Sequence, residues 1–189
     1  HVPAYLQSVK IPAGYFDVSA YKEKLNKFLL KEFETDKLVR YMSDDDIFLN
    51  HEVLAEIDED LDDVLETIAN EIITYEGIFQ VYTSEQLKTQ NYTRGLPYLL
   101  QNGFNHKRSG DLLVVLTPSV ISYNRVGSTH GSGFSYDTHA PLFFFGKGIN
   151  QGQTSKRTEI PDIAPTISAL LGIAYPSGAT GQPIYEVID

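Results

Sequence analysis

"DLLVVLTP", residues 111–118, is an unbroken apolar run bounded by an aspartate and a proline. Successive side chains of a strand point to opposite faces of a sheet, so a run without polar alternation fits a strand buried on both faces. A second run, "APLFFFG" at residues 140–146, has the same character. Together they predict an α/β fold in which helices cover a sheet, with these two strands in a parallel arrangement.

The helices that cover this sheet are predicted from apolar spacing and from end signals. Four segments carry such signals: 17–34, 52–76, 94–104 and 162–172. Ser19 and Asp162 are the expected N-caps of the first and last of these helices. Gly103 and Gly172 are the expected ends of the third and fourth, because glycine accepts the left-handed conformation that often closes a helix.

Further strands are predicted from short apolar segments at 37–43, 46–50 and 77–83. Ser43, Asp44 and Asp45 form a turn-like sequence between the first two. The chain contains no internal repeat and no convincing linker. Residues 1–189 are therefore predicted to form a single domain, with helices on the faces of a mixed sheet.

Composition and charge exclude several classes of function. The 189 residues carry a formal net charge of −10, which argues against a nucleic-acid partner because phosphate binding needs a basic surface. The chain has no cysteine, so disulfides, thiolate metal sites and cysteine nucleophiles are excluded. No apolar stretch approaches the roughly 20 residues that a membrane span requires, and no membrane partner is expected.

An acidic cluster, Asp58, Asp60, Asp62 and Asp63, raises the possibility of a calcium loop. The EF-hand pattern requires glycine at its sixth position and glutamate at its twelfth, where this chain has Asp63 and Ala69. The apolar period of the predicted helix also continues through the cluster. A solvated helix face is the favoured interpretation.

A histidine among small residues, His130 in "STHGSG", is the strongest candidate for chemistry. Neutral imidazole is the commonest metal ligand, and small neighbours leave room for a metal and a substrate. In open α/β sheets, ligands bind at the strand ends, where this loop is expected to lie. The alternative is a turn whose histidine bonds to the backbone.

Asp137 and His139 alternate on what is predicted to be one strand face, so both could join His130. The favoured interpretation of this pair is structural: the carboxylate holds an N–H group, or the imidazole caps a strand. His51 and His106 carry no motif and are expected on the surface. A catalytic zinc takes three protein ligands, so the partners of His130 are expected mostly elsewhere.

Two stretches, "STHGSGFSYDTHAPLFFFGKGI" at 128–149 and "EIPDIAPTISALLGIAYPSGATGQPI" at 159–184, closely resemble the C-terminal part of the alkaline phosphatase superfamily. The branch that they resemble is that of the bacterial monomeric phosphatases related to type I phosphodiesterases and nucleotide pyrophosphatases. Upstream, "IFLN" at 47–50 and "VYTSEQL" at 81–87 look like segments of the same branch. The resemblance therefore covers most of the chain.

This resemblance implies a two-zinc phosphohydrolase with a threonine or serine nucleophile, acting on phosphate esters. The histidine of the Thr-His-Gly motif, a ligand of one zinc, corresponds to His130. The nucleophile with its aspartate, an Asp-x-x-x-His pair and an Asp-His-Gly motif lie upstream in such enzymes and do not occur in this chain. "HVPAYL" at 1–6 looks like the sequence that follows the Asp-His-Gly motif.

The expectation is therefore the C-terminal segment of a larger catalytic domain, contributing one zinc ligand and inactive alone. Relatives of this branch are usually exported, so the complete enzyme is expected to be periplasmic or secreted. Two alternatives stay open: a sulfatase or phosphonate hydrolase of the same superfamily, and a non-catalytic binding or interaction module. Sheet surface exposed in such a segment could also lead to dimerisation.

Overall fold

A computed structural model describes residues 2–57, 59–123 and 127–188, which form two compact units, 1–139 and 140–189. The strands of the first unit are β1 Gly14–Tyr15, β2 Val39–Met42, β3 Asp46–Leu49, β4 Ile78–Thr83, β5 Leu112–Leu116 and β6 Val120–Ile121. Its helices are α1 Pro3–Ser8, α2 Val18–Glu32, α3 His51–Leu54, α4 Leu61–Ile72, α5 Ser84–Thr89, α6 Gly95–Gly103 and α7 Ser135–Thr138. The second unit contains a 3-10 turn, Ile160–Asp162, followed by α8 Ile163–Leu171 and α9 Tyr185–Ile188.

Strand β5 is an interior strand of the main sheet, whose order is β2-β3-β5-β4. Its first four residues are buried, so the prediction of a buried strand in 111–118 is confirmed. The predicted parallel arrangement of β5 is wrong, since it pairs antiparallel with both β3 and β4. Strands β1 and β6 pair in parallel in a separate ribbon, so the α/β class with mixed pairing is confirmed.

Two apolar clusters cover the opposite faces of β5, which explains why its sequence does not alternate. Leu112 and Val114 belong to the larger cluster, with buried side chains of α2 and α4. Leu113 and Val115 belong to a smaller cluster, packed against side chains that follow β4 and against Phe134. A central antiparallel strand covered on both sides gives the same apolar run as a parallel one.

The predicted helices are confirmed, with one of the caps reassigned. The segment 52–76 forms a helix pair, α3 and α4. At the start of α2 the cap is Asp17 rather than Ser19: the Asp17 Oδ1 atom accepts from the N–H groups of Ser19, at 2.9 Å, and Ala20, at 3.0 Å. Ser19 lies inside the first turn, so its own N–H is one of the groups that need a partner.

Of the acidic cluster, Asp60, Asp62 and Asp63 are exposed, but α4 begins only at Leu61, so the predicted helix face holds for Asp62 and Asp63 alone. Asp62 and Asp63 occupy the first turn of α4, where the helix dipole favours negative charge. Asp60 is exposed at the N-cap position, and Asp58 lies outside the described residues. Within the described residues, no helix is long and apolar enough to cross a membrane.

The second unit corrects the prediction for 140–146, which forms no strand. Phe143 is 85% exposed and Phe145 is 103% exposed, although both lie in a segment predicted to be buried. A strand needs a neighbour for its backbone hydrogen bonds, and the described residues from 140 to 188 contain no strand that could pair with it. The apolar sequence thus has no sheet to join within this unit.

Helix α8 ends at Gly172, whose φ of 64° is left-handed, as the sequence predicts. Asp162 stands at the predicted N-cap position, but its carboxylate makes no capping bond to α8. Instead it accepts from the N–H groups of Glu159 and Gln182, both at 2.8 Å. The Thr166 hydroxyl donates to the Asp162 carbonyl and accepts from the Ile184 N–H. These bonds tie the C-terminal tail to α8.

Candidate metal-binding site

A cavity of about 250 Å³ lies in the first unit and is bordered by the loop that carries His130. Residues 127–134 form no helix or strand, and the His130 side chain is exposed. Thr129 and Ser132 also line the cavity, together with residues 113–116 of β5. The structure therefore places His130 in an exposed loop that borders a cavity beside β5, and its role as a metal ligand stays a prediction.

Two of the small neighbours of His130, Gly131 and Gly133, occupy positions where the structure restricts the side chain. Gly131 has a φ of 118°, a conformation that L side chains rarely adopt. A Cβ atom at Gly133 would lie 2.3 Å from the Cδ1 atom of Leu96 in α6. Gly131 therefore allows the loop to turn, whereas a side chain at Gly133 would require only the end of the Leu96 side chain to shift.

Asp137 lies in the helical turn α7 rather than on a strand, so the predicted strand pair of Asp137 and His139 is wrong. The Asp137 Oδ2 atom accepts from the Ser132 backbone N–H, at 3.1 Å, and from the Ser132 hydroxyl, at 2.5 Å. This half-buried carboxylate thus holds an N–H of the His130 loop, which is the structural interpretation that the sequence favours. His139 is exposed just after α7, and the described residues 140–188 contain no strand for it to cap.

Acidic residues of the β2–β3 turn also line the cavity, which sequence reasoning missed. Asp44, Asp45 and Asp46 all contribute to its wall. Burial raises the pKa of the Asp44 and Asp46 carboxyls above their usual values. The Asp46 Oδ1 atom accepts from the Gly110 N–H at 2.9 Å, so this carboxylate already has a structural partner. The sequence identified Asp44 and Asp45 only as part of a turn and Asp46 only as the start of a strand.

The donor set near His130 fits one position of a metal site. His130 supplies an accessible imidazole nitrogen, while the Asp137 carboxylate is occupied by Ser132. Across residues 2–57, 59–123 and 127–188, no group of three or more histidine or acidic side chains could hold a metal ion. Since a catalytic zinc takes three protein ligands, His130 can serve only together with ligands from elsewhere.

A second histidine, His51, has a partner that the sequence does not reveal. Its Nε2 atom lies 3.0 Å from the Asp111 Oδ1 atom, and the Asp111 Oδ2 atom accepts from the Leu49 N–H at 2.7 Å. This carboxylate joins the start of α3 to β5. The His51 side chain is exposed, and His106 is exposed as well, as predicted.

Known proteins resemble the chain over its full length. No family model matches it. Alkaline phosphatase PafA from Elizabethkingia meningoseptica is 34% identical over 189 residues, which are all of this chain and 34% of that protein. Alkaline phosphatase PhoV from Synechococcus elongatus is 27% identical over 188 residues, again 34% of its length. A crystal structure of wild-type alkaline phosphatase PafA superposes with a TM-score of 0.89 and 34% identity, covering all of this chain and 36% of that one.

The similarity in sequence and the similarity in structure agree with each other. The chain spans about a third of the length of the curated relatives that it matches. The match in structure extends over both compact units, since it covers the whole chain. These similarities support a fragment of the alkaline phosphatase superfamily, since the whole chain matches about a third of such a protein.

Proposed function

We propose that this chain is part of a zinc-dependent phosphohydrolase and contributes His130 as one metal ligand. The observation that carries the proposal is the exposed His130 imidazole beside a cavity, in a chain that is similar to alkaline phosphatases over its full length. The names of these relatives support a phosphate ester as the substrate, in preference to a sulfate or a phosphonate. Both compact units would belong to one catalytic domain.

The chain's own contribution would be to bind and orient. A neutral histidine nitrogen is a good zinc ligand, and a loop fixed by packing presents it in one direction. When two zinc ions are bound, they activate a hydroxyl nucleophile and stabilise the charge of phosphoryl transfer. The other ligands and the nucleophile would come from residues outside this chain. From the resemblance to this branch, we also place the complete enzyme in the periplasm or outside the cell.

Replacing His130 with alanine in the complete protein tests the proposal. Loss of a metal ligand should lower zinc content and reduce kcat/KM for p-nitrophenyl phosphate by at least the roughly 100-fold that loss of a ligand's supporting partner can cost. His139→Ala is the matched control, because His139 is exposed nine residues further on and lies outside the cavity lining. It should keep wild-type zinc content. Equal losses in the two variants would show that His130 is the wrong histidine.

A further inference from the structure

We infer that Asp137 is the positioning residue for His130, holding the loop so that the imidazole points in one direction. The inference rests on the proposed function, because it concerns what makes His130 an effective ligand. It assigns Asp137 no contact with metal or substrate. The carboxylate acts through Ser132, two residues after the histidine.

The loop needs contacts from outside because a glycine in its own backbone allows many conformations. Gly131 separates His130 from Ser132 and has a φ of 118°. Glycine has more conformational freedom to lose on folding than any other residue, so a fixed His130 orientation requires contacts from outside the loop. The two bonds from Ser132 to one Asp137 oxygen fix the residue that directly follows this glycine.

Helix α7 gives the carboxylate a rigid support. Phe134, at its N-cap, packs against the smaller apolar cluster and lies with its ring 5.8 Å from that of Phe79. The Tyr136 ring stacks on Phe134 at the same distance, and its hydroxyl accepts from the Ser119 N–H at 3.1 Å. Asp137 thus directly follows residues that pack against β4 and bond to the segment between β5 and β6.

A carboxylate suits this role better than a neutral side chain. Hydrogen bonds to an ionised acceptor are shorter and about twice as strong as neutral ones. The 2.5 Å bond from the Ser132 hydroxyl fits that class. Residues that orient a metal ligand without touching the metal typically change metal affinity by about 10- to 100-fold when they are replaced.

The test uses the complete zinc-loaded protein and measures zinc retention against a competing chelator, together with p-nitrophenyl phosphate hydrolysis. Asp137→Ala should weaken zinc retention by about 10- to 100-fold. Asp137→Asn, which keeps an acceptor oxygen but not the charge, should recover only part of the loss. Thr138→Val is the matched control, since it removes a side-chain bond within the same turn, from the Thr138 hydroxyl to the Phe134 carbonyl, and should retain zinc normally.

A double-mutant cycle separates positioning from a general loss of structure. In the His130→Ala background, adding Asp137→Ala should cause no further loss of zinc, because the group being positioned is already absent. An equal further loss, or normal zinc retention by Asp137→Ala alone, would overturn the inference and leave the proposed function standing. Normal zinc retention by His130→Ala would overturn both.

Thermal unfolding of each variant completes the test. If Asp137→Ala lowers the melting temperature as much as a core substitution does, Ser132→Ala replaces it in the comparison. That variant deletes the bond from the Ser132 hydroxyl to Asp137 and keeps the bond from the Ser132 backbone N–H. An intermediate loss of zinc by Ser132→Ala supports the inference. Zinc retention equal to that of Thr138→Val contradicts it.

Discussion

Gly110 is buried where the backbone of the first unit packs most closely beside β3. A Cβ atom there would lie 2.7 Å from the Ile47 carbonyl oxygen and 2.8 Å from the Asp46 Oδ1 atom. The Gly110 N–H donates to that same Asp46 oxygen at 2.9 Å. Only a hydrogen at the Cα position therefore allows this approach of the chain to β3.

Gly110→Ala should lower the free energy of unfolding by about 1–3 kcal/mol, because the added methyl group displaces backbone rather than a flexible side chain. Urea denaturation gives this value. Gly103→Ala is the matched control: it lies in the last turn of α6 with no atom within 4 Å of the added Cβ. That variant should be neutral, or more stable by about 0.5–1 kcal/mol. Equal destabilisation by both variants would contradict the steric explanation.

Tyr21 makes the folding stability of the protein depend on pH in the alkaline range. Its ring is buried in the larger cluster, and within the described residues its hydroxyl has no hydrogen-bond partner. Burial raises the pKa of Tyr21 above its usual value. Above about pH 10 the unfolded chain releases a proton that the folded protein keeps, so folding stability falls as the pH rises.

Tyr21→Phe should remove this loss of stability. From about pH 10 upward, the free energy of unfolding of the wild type should fall by up to about 1.4 kcal/mol per pH unit more than that of the variant. Near pH 7 the variant should be as stable as the wild type or slightly more stable, since the deleted hydroxyl makes no bond. Urea denaturation at several pH values measures the difference. Tyr5→Phe, on an exposed ring, should follow the wild type.

At the scale of the element, helix α2 begins where a carboxylate can reach two free N–H groups. Asp17→Ala should cost about 1 kcal/mol, the usual value for the loss of an N-cap. Ser19→Ala, two residues later, should change the free energy of unfolding far less, because the structure gives the Ser19 hydroxyl no capping role. Denaturation of the two variants under the same conditions distinguishes them, and the reverse order would restore Ser19 as the cap.

The elements that the sequence predicted well are those whose signals are local. The period of α4 and the left-handed Gly172 at the end of α8 depend on neighbouring residues and were predicted correctly. Helix α5 was missed, although Thr83 and Gln86 form a capping box whose pattern is visible in the sequence. The run 140–146 was misassigned because strand formation depends on a partner that a single segment cannot specify.

At the candidate site too, features with local sequence signals were predicted and features that depend on distant contacts were not. A histidine among small residues predicted a ligand loop at His130, and the structure gives a backbone reason for the glycine at position 131. The link between Asp137 and Ser132 spans five residues and was expected only as one alternative. The β2–β3 turn reaches the cavity because β3 pairs with β5, more than 60 residues away in sequence. The residues around the turn carry no signal of this contact.

At the scale of the whole molecule, we predict that the supply of metal ligands limits activity. The isolated chain should show no zinc-dependent hydrolysis of p-nitrophenyl phosphate, because one imidazole cannot retain two metal ions and no nucleophile is identified. Steady-state assays with zinc added to the purified chain measure this. The complete protein, assayed in parallel, is the positive control. Hydrolysis by the isolated chain at a rate proportional to its concentration would contradict the prediction.

The exposed rings of Phe143 and Phe145 affect how such a chain behaves in solution. Burying a phenylalanine side chain is worth about 1.5–3 kcal/mol, so a surface that leaves both rings in water favours association. Dimerisation through exposed sheet surface stays a prediction, and these two rings lie in a segment that forms no strand.

The position of β5 also sets the order in which the sheet can form during synthesis. β5 lies between β3 and β4 in space but follows both in sequence. As the chain leaves the ribosome, the edges of β3 and β4 that will pair with β5 have no partner until residue 116 has emerged. The β2–β3 hairpin can form early, whereas the remaining pairings must close long loops and form late. Until then these strand edges are open to pairing with other chains, which makes this interval the one in which a nascent copy is most exposed to aggregation.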